Sequence, residues 1–273
     1  RESSLTLSGD FGKLSFGRMG AIGSAAGDFD AAFAIGDAFD GGDGDVFGMA
    51  ASDRYDNMVT YQTPSFSGFQ ATVQYSLNES SVDNTLRENS SQVDRYLGFA
   101  LTAELGALQG VLAYETQNYA SFGDKAQANT EDGQVVYLGG NYDCGFAKTF
   151  VMAQYFKGLK AGSINGLGML DDIEGEQTGT TLEDEFDAFF DKGAKGFGLH
   201  LGTIVPISNG DLTVGAYYVD GKGETSAAGE EDLDFDYIGL ATKYEYRLSK
   251  RTSVYLGAGY HKAKAEDSEG EIE

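Results

Sequence analysis

The side chains in this sequence that could take part in chemistry or bind ions are mainly carboxylates, and many of them lie in acidic runs. Aspartates recur between residues 28 and 45, and a second acidic run covers 171–191. Clustered carboxylates bind hard divalent cations when several oxygens converge on one ion. The spacing does not follow a complete EF-hand pattern, so calcium is a candidate ligand of these acidic loops without a defined site.

No arrangement typical of an enzyme or of a cofactor site is present in the sequence. His200 and His261 are far apart, with no cysteine or histidine at metal-ligand spacing. The single cysteine, Cys144, cannot form an internal disulfide. The glycines form neither a phosphate-binding loop nor a strand–GxGxxG–helix unit, and no motif supports a Ser-His-Asp triad. We therefore expect a protein that is not an enzyme and holds no cofactor.

The charge balance excludes one class of partner. The chain carries a formal net charge of −24 and has a pI of about 4.2. Binding to nucleic-acid phosphates requires clustered Lys and Arg, so no nucleic-acid partner is expected. No stretch approaches the ~18 consecutive apolar residues of a membrane-spanning helix. The mean hydropathy of −0.29 nevertheless permits a transmembrane β-barrel, because a barrel strand needs only every second residue to be apolar.

Apolar and polar residues alternate with period 2 about a dozen times, which predicts β-strands. In 69–75, one face carries Phe, Ala, Val and Tyr, whereas the other carries two glutamines and a threonine. The predicted strands are 3–8, 12–18, 54–63, 69–77, 94–104, 109–118, 133–142, 147–156, 195–206, 211–220, 234–248 and 252–263. Short turns alternate with long polar segments, which lie near 20–52, 78–93, 119–132, 157–193 and 221–233.

This rhythm favours an outer-membrane barrel, whose strands are joined by tight turns at one end and by long loops at the other. A water-soluble sandwich has no reason to place every long loop at one end. The polar faces carry Gln74, Gln154 and Lys243, among others. A water-filled lumen tolerates such residues, whereas a packed core does not. Tyrosines near the strand ends on the apolar faces suit an interfacial aromatic girdle.

Two segments resemble the Gram-negative general diffusion porins. Residues 8–18 (SGDFGKLSFGR) are similar to the turn and strand that precede the constriction loop of this family. Residues 54–69 (RYDNMVTYQTPSFSGF) resemble the strand that follows that loop, with an arginine, an Asp-Asn pair, a tyrosine and a turn containing Phe and Gly. The remainder of the chain matches by strand rhythm more than by residue identity.

The resemblance implies an all-β fold, namely a transmembrane antiparallel β-barrel of 16 strands, with about twelve represented in this chain. Residues 1–273 then form a single porin domain that lacks the first three strands and the last strand. Within it, 20–52 is the inward-folded constriction loop and 157–193 is a long acidic extracellular loop. The implied location is the bacterial outer membrane, and the implied partners are two further copies in a homotrimer, outer-membrane lipid and lipopolysaccharide.

The resemblance also implies a pore constriction, in which acidic loop residues face basic wall residues across a narrow aqueous gap. Arg54 shares the strand parity of Thr60 and Gln62. Gln62 stands where some members have another arginine, which favours a preference for cations. The candidate constriction residues are Arg18, Asp28, Asp30, Asp37, Asp40, Arg54 and Gln62.

The implied function is passive diffusion of ions and small hydrophilic solutes through a water-filled channel. Two alternatives remain from the sequence. One is a substrate-specific porin with a binding site in the constriction, and the other is a β-rich surface adhesin that forms no channel.

Overall fold

The computed structural model describes residues 2–39, 49–77, 93–120, 131–160, 163–164, 192–225, 232–266 and 271–272. The described strands are β1 (Ser3–Gly9), β2 (Gly12–Gly20), β3 (Arg54–Gln62), β4 (Phe69–Ser76), β5 (Arg95–Leu105), β6 (Leu108–Asn118), β7 (Gly133–Asp143), β8 (Lys148–Leu159), β9 (Ala194–Ile207), β10 (Gly210–Gly223), β11 (Leu233–Ser249), β12 (Thr252–Glu266) and the two-residue β13 (Glu271–Ile272). A short helix, α1 (Ala32–Gly36), lies between β2 and β3. In the parts of the chain that are described, no helix is long and apolar enough to cross a membrane.

All the strands belong to one antiparallel sheet, and their order in the sheet follows their order in the chain. Short turns follow β1, β3, β5, β7, β9 and β11, whereas long connections follow β2, β4, β6, β8 and β10. The predicted all-β antiparallel fold, its twelve strands and the alternation of connections are therefore confirmed. The described strands form an open order from β1 to β13, and the 16-strand closed barrel stays a prediction.

One face of this sheet, here called the apolar face, exposes large hydrophobic side chains in rows that cross the strands. The register aligns Leu101 of β5 with Leu112 of β6 and Leu138 of β7, and Leu138 is 63% exposed. Leu199 of β9 continues the row through β8. Alternation places these residues on one side because successive strand side chains point to opposite faces. Exposure of such a surface to water would be costly, because removing one methylene group from water stabilises a protein by ~0.8 kcal/mol.

The opposite face, here called the covered face, carries the buried residues and much of the hydrophobic core. Gln74 and Gln154 lie on it, as the alternation predicts, but both are almost completely buried. The expectation that they line a wet lumen is therefore wrong for these two residues. The physical reason is that Gly20 and Ala50, in the described parts of the 20–52 segment, use these amides as partners for their main chain.

Candidate functional site

The described parts of the 20–52 segment, which joins β2 to β3, are residues 20–39 and 49–52, and they pack against the covered face. Its apolar residues Ile22, Phe33 and Met49 belong to the same buried cluster as Tyr137 of β7 and Met152 of β8. Helix α1 contacts β6, β7 and β8. The apolar composition of the segment, with alanines and phenylalanines between its aspartates, explains why it lies on the sheet, because burying these side chains stabilises the contact.

A buried carboxylate lies where the segment leaves β2 and returns to β3. Glu115 of β6 is 2% exposed, and it accepts hydrogen bonds from the Gly23 N–H at 2.8 Å and the Ser52 hydroxyl at 2.6 Å. The hydroxyls of Tyr96 and Tyr137 also donate to it, at 2.5 Å and 3.1 Å. Every donor comes either from the segment or from a neighbouring strand, so this carboxylate joins the two.

Two glutamine amides bind the main chain of the segment. The Gln154 Oε1 accepts from the Ala50 N–H at 2.7 Å, and its Nε2 donates to the Ala50 carbonyl at 2.8 Å. The Gln74 Nε2 donates to the Gly20 carbonyl at 3.0 Å. A buried main-chain group needs such a partner, because leaving it unpaired costs ~1–3 kcal/mol. The inward-facing glutamines therefore replace the strand partners that an irregular segment lacks.

A second polar cluster lies beyond helix α1, around Asp37. The Asp37 Oδ1 accepts from the Tyr217 hydroxyl at 2.8 Å and lies 3.3 Å from the His200 Nε2. The Ala38 N–H donates to the same Nε2 at 3.2 Å, so this nitrogen acts as an acceptor. The other ring nitrogen, Nδ1, then carries the proton and donates to the Ala216 carbonyl at 3.2 Å. The His200 and Tyr217 rings stack with their centroids 4.4 Å apart.

The structure gives the predicted loop aspartates three different environments. Asp28 is exposed. Asp30 accepts from the N–H groups of Phe33 and Ala34, each at 3.2 Å, at the start of helix α1. Asp37 is 2% exposed and belongs to the cluster with His200. The fourth candidate, Asp40, lies outside the described residues. Asp37 is thus shielded from bulk water, whereas Asp28 is open to it.

A bulge separates the predicted wall residues on β3. Gly17 pairs with Met58 and Met19 pairs with Tyr55, so two β3 residues face one β2 residue. Asn57 takes a positive φ of 51° within this bulge. Tyr55 and Met58 are three positions apart, yet both belong to one buried cluster. The alternation of faces therefore shifts by one residue at the bulge. As a result, Arg54 does not lie on the face of Gln62, although its sequence parity suggests that it does.

The three predicted wall residues have the following contacts. Arg18 forms an ion pair with Asp56 at 2.9 Å, and both side chains are partly exposed. The Gln62 Nε2 donates to the Thr72 hydroxyl at 3.2 Å on the covered face. Arg54 pairs with Gly20 in the register, and its Nε is buried without a hydrogen-bond partner among the described residues. A role of these three residues in a constriction stays a prediction.

Sequence reasoning missed Glu115, Tyr96, Tyr137, His200 and Tyr217, which hold the segment. A signal was present, since each is a polar or aromatic residue with the inward parity of its strand. Parity alone does not distinguish a side chain that faces water from one that lies under a folded-back segment. That distinction requires the position of the segment.

Ion pairs join neighbouring elements at the end of the sheet that carries the long connections. Lys157 and Glu131 lie 2.6 Å apart, and Lys222 and Asp234 lie 2.8 Å apart. The hydrogen bond from Lys157 lowers the pKa of the Glu131 carboxyl. In the described parts of the chain, no group of three Asp, Glu, His or Cys side chains is placed to hold a metal ion. Most of 157–193, where calcium was considered, lies outside the described residues.

Comparisons with known proteins agree with this architecture. The family model described as Gram-negative porin matches residues 1–266. An outer membrane porin protein of Bordetella pertussis is 31% identical over 280 residues, which cover 96% of this chain and 66% of that protein. The chain thus spans slightly less than two thirds of the length of this relative.

Solved structures of a porin and of another outer membrane protein have the same fold. The anion-selective porin from Comamonas acidovorans has a TM-score of 0.61 at 23% identity, over 98% of this chain and 68% of that one. The trimer form of OmpT from Vibrio cholerae has a TM-score of 0.54 at 16% identity, over 98% of this chain and 74% of that one. The family match covers nearly the whole sequence and agrees with the alternating sheet and its inward-packed segment. The chain therefore belongs to the Gram-negative porin family, whose members lie in the bacterial outer membrane.

Proposed function

We propose that the protein forms a water-filled channel through which ions and small hydrophilic solutes diffuse passively. The observation that carries this proposal is that the apolar face of the sheet is exposed while the other face bears the folded-back segment. An exposed apolar face is stable in contact with outer-membrane lipid. The covered face then becomes the inner wall of a barrel.

Charged residues near the short turns support a wet inner wall. Lys13, Glu104 and Arg247 are exposed, and the register pairs Lys13 with Gln62 and Glu104 with Gln109. Their parity is that of the covered face. Arg247 pairs with Asp211, whereas a packed interior would have to bury the charges of Lys13 and Glu104 at high cost. These positions suit a lumen that contains water at the end away from the 20–52 segment.

In this proposal the 20–52 segment narrows the channel, and the 157–193 connection lies outside the cell, next to lipopolysaccharide. Liposome swelling tests the channel: vesicles containing the protein should swell in small sugars and should not swell in sugars larger than the narrowing. Equal exclusion of all sugars by vesicles that contain folded protein would contradict a diffusion channel. Swelling inhibited in a saturable way by one solute would instead indicate the substrate-specific alternative.

We further infer that the protein works as a homotrimer. The support is the fold it shares with OmpT of Vibrio cholerae, a solved outer membrane protein that is named a trimer form. Light scattering of the detergent-solubilised protein should give three times the chain mass after subtraction of the detergent. A stable monomer that conducts would contradict this inference.

The preference for cations stays a prediction, and its basis in the described residues is narrower than the sequence suggests. Asp37 is buried and Asp30 binds the start of helix α1, so Asp28 is the one described candidate aspartate that is exposed. A solved porin of similar fold is named anion-selective. The reversal potential in a salt gradient decides between the two signs, and an anion-selective potential would discard the predicted preference.

A further inference from the structure

We propose that Glu115 is a positioning residue of the pore: its buried carboxylate fixes both ends of the 20–52 segment on the wall and thereby sets the width of the channel. The proposal rests on the proposed function, since a width matters only in a channel. Among the described aspartates of the segment, Asp28 is the exposed one. Glu115 acts on the channel through that segment, because at 2% exposure it scarcely meets the aqueous space.

The four hydrogen bonds are divided evenly between the two carboxylate oxygens. Oε1 accepts from the Gly23 N–H and the Tyr96 hydroxyl, and Oε2 accepts from the Ser52 hydroxyl and the Tyr137 hydroxyl. Each oxygen therefore binds one group of the segment and one group of the wall. Gly23 belongs to the outgoing end and Ser52 to the returning end, so a single side chain joins both ends to the sheet.

The two ends of the segment are also joined to each other. The Ser52 N–H donates to the Gly23 carbonyl at 2.8 Å, and the Ala21 N–H donates to the Asp53 carbonyl at 3.1 Å. These bonds make the base of the segment a closed unit. If that unit moved relative to the wall, its internal bonds would stay intact, whereas the bonds from Gly23 and Ser52 to Glu115 would break.

The wall groups that bind Glu115 have little freedom to follow such a movement. Tyr96 and Tyr137 are both fully buried. The Tyr55 ring stacks on Tyr96 with centroids 4.4 Å apart, and Phe33 packs edge-on to Tyr137 at 5.9 Å. A Cβ added to Gly23 would lie 2.4 Å from the Tyr137 hydroxyl and 2.8 Å from the Glu115 Oε2. A side chain at this position would therefore displace the Tyr137 hydroxyl and the Glu115 carboxylate from each other's reach.

A carboxylate suits this position because it only accepts hydrogen bonds, and all four neighbours can donate. A glutamine would present an NH₂ group to one pair of neighbours. The hydroxyls of Ser52 and Tyr137 can rotate to accept from it, whereas the Gly23 N–H cannot. Glutamine should therefore preserve part of the contact, and leucine, with no polar atom, should abolish it.

The test compares Glu115→Gln and Glu115→Leu with Glu104→Gln, a control that removes a charge from the neighbouring strand without touching the segment. Ala21→Cys, in a Cys144→Ser background, reports how often the fully buried base of the segment opens. Labelling by a water-soluble thiol reagent should accelerate about tenfold or more in Glu115→Leu and about threefold in Glu115→Gln, because buried donors lose their acceptor. The control should stay within about twofold of the parent.

Single-channel recording supplies the readout that a merely structural role would not change. Glu115→Leu should give larger current fluctuations and admit larger solutes, and Glu115→Gln should restore most of the steady current. Because Glu104 lies on the proposed inner wall, Glu104→Gln is compared with the parent in current noise and solute size limit only, and both should be unchanged. Equal labelling and equal current noise in parent and Glu115→Leu would overturn the proposal. If Glu115→Leu does not fold, Tyr137→Phe replaces it, and unchanged labelling in that variant and in Glu115→Gln would overturn the proposal equally.

The two proposals fail in distinguishable ways. If the parent protein conducts no ions, the channel is refuted, while the labelling rates still report whether Glu115 fixes the segment. If the parent conducts and labelling does not respond to Glu115, the channel stands and the positioning role is refuted.

Discussion

Replacing Gln154 with leucine tests how firmly the returning end of the 20–52 segment is held on the wall. The Gln154 amide binds both the N–H and the carbonyl of Ala50, at 2.7 Å and 2.8 Å. Leucine has a similar size and no polar atom, so both main-chain groups lose their partner. An unsatisfied buried group costs ~1–3 kcal/mol, which gives a loss of about 2–6 kcal/mol for the pair of groups.

Thiol labelling measures this loss as a change in local opening. Met49 is fully buried next to Ala50, and Met49→Cys in a Cys144→Ser background reports each opening of the returning end. Since each 1.4 kcal/mol corresponds to a factor of ten, Gln154→Leu should accelerate labelling by at least about 30-fold. The rate should be measured under conditions in which labelling is slow relative to reclosing, so that it follows the opening equilibrium.

Gln70→Leu is the matched control. Gln70 lies on the same face of the sheet, is half-buried and donates to the Thr63 carbonyl at 2.9 Å, away from the segment. Its replacement should leave the labelling of the position 49 thiol unchanged. A Gln154→Leu variant that labels at the parent rate would refute the claim that this amide holds the segment.

Three further predictions follow from the same structure. Leu138→Arg places a charge on the apolar face, and its cost of ~2–4 kcal/mol in lipid should reduce the folding yield in lipid vesicles. The same change at Gln134, near the strand end, should have little effect. Equal yields for the two variants would contradict contact of Leu138 with lipid. Tyr217→Phe removes a hydroxyl donor from buried Asp37 and should lower the free energy of unfolding by ~1–3 kcal/mol, measured by denaturant titration against the parent. The lowered pKa of Glu131 means that its ion pair stabilises the fold at neutral pH and is lost as the pH falls through that lowered value. The pH profiles of parent and Glu131→Gln should therefore converge in acid, and a gap that widens in acid would show the opposite sign.

The sheet was predictable because the pattern that predicts each strand lies within a few neighbouring residues. Period-2 alternation places Leu112 and Leu138 on one face whatever the neighbouring strands do, and short turns alternate with long connections along the chain. The bulge at Asn57 was not predictable from alternation. A single extra residue reverses every later inference from parity, and this is why Arg54 departs from the face of Gln62.

The contacts of the candidate site were harder to predict because they join residues far apart in sequence. Glu115 binds Gly23 across 92 positions, and Tyr217 binds Asp37 across 180. No local pattern encodes such pairs, and a buried carboxylate on an inward face has the same sequence signature as one that lines water. Alternation assigned Gln74 and Gln154 to the correct face of the sheet. It could not show that the 20–52 segment buries them, and they were therefore expected to face water.

Conductance across a planar lipid bilayer tests the central claim most directly. Addition of the folded protein at nanomolar concentration should produce large, stepwise and long-lived increases in current, because the inserted channels stay open without an applied trigger. Homotrimeric insertion should group these increases in threes. If the protein inserts into the bilayer and the current stays at the level of bare lipid, the sheet described here does not form the wall of an open channel.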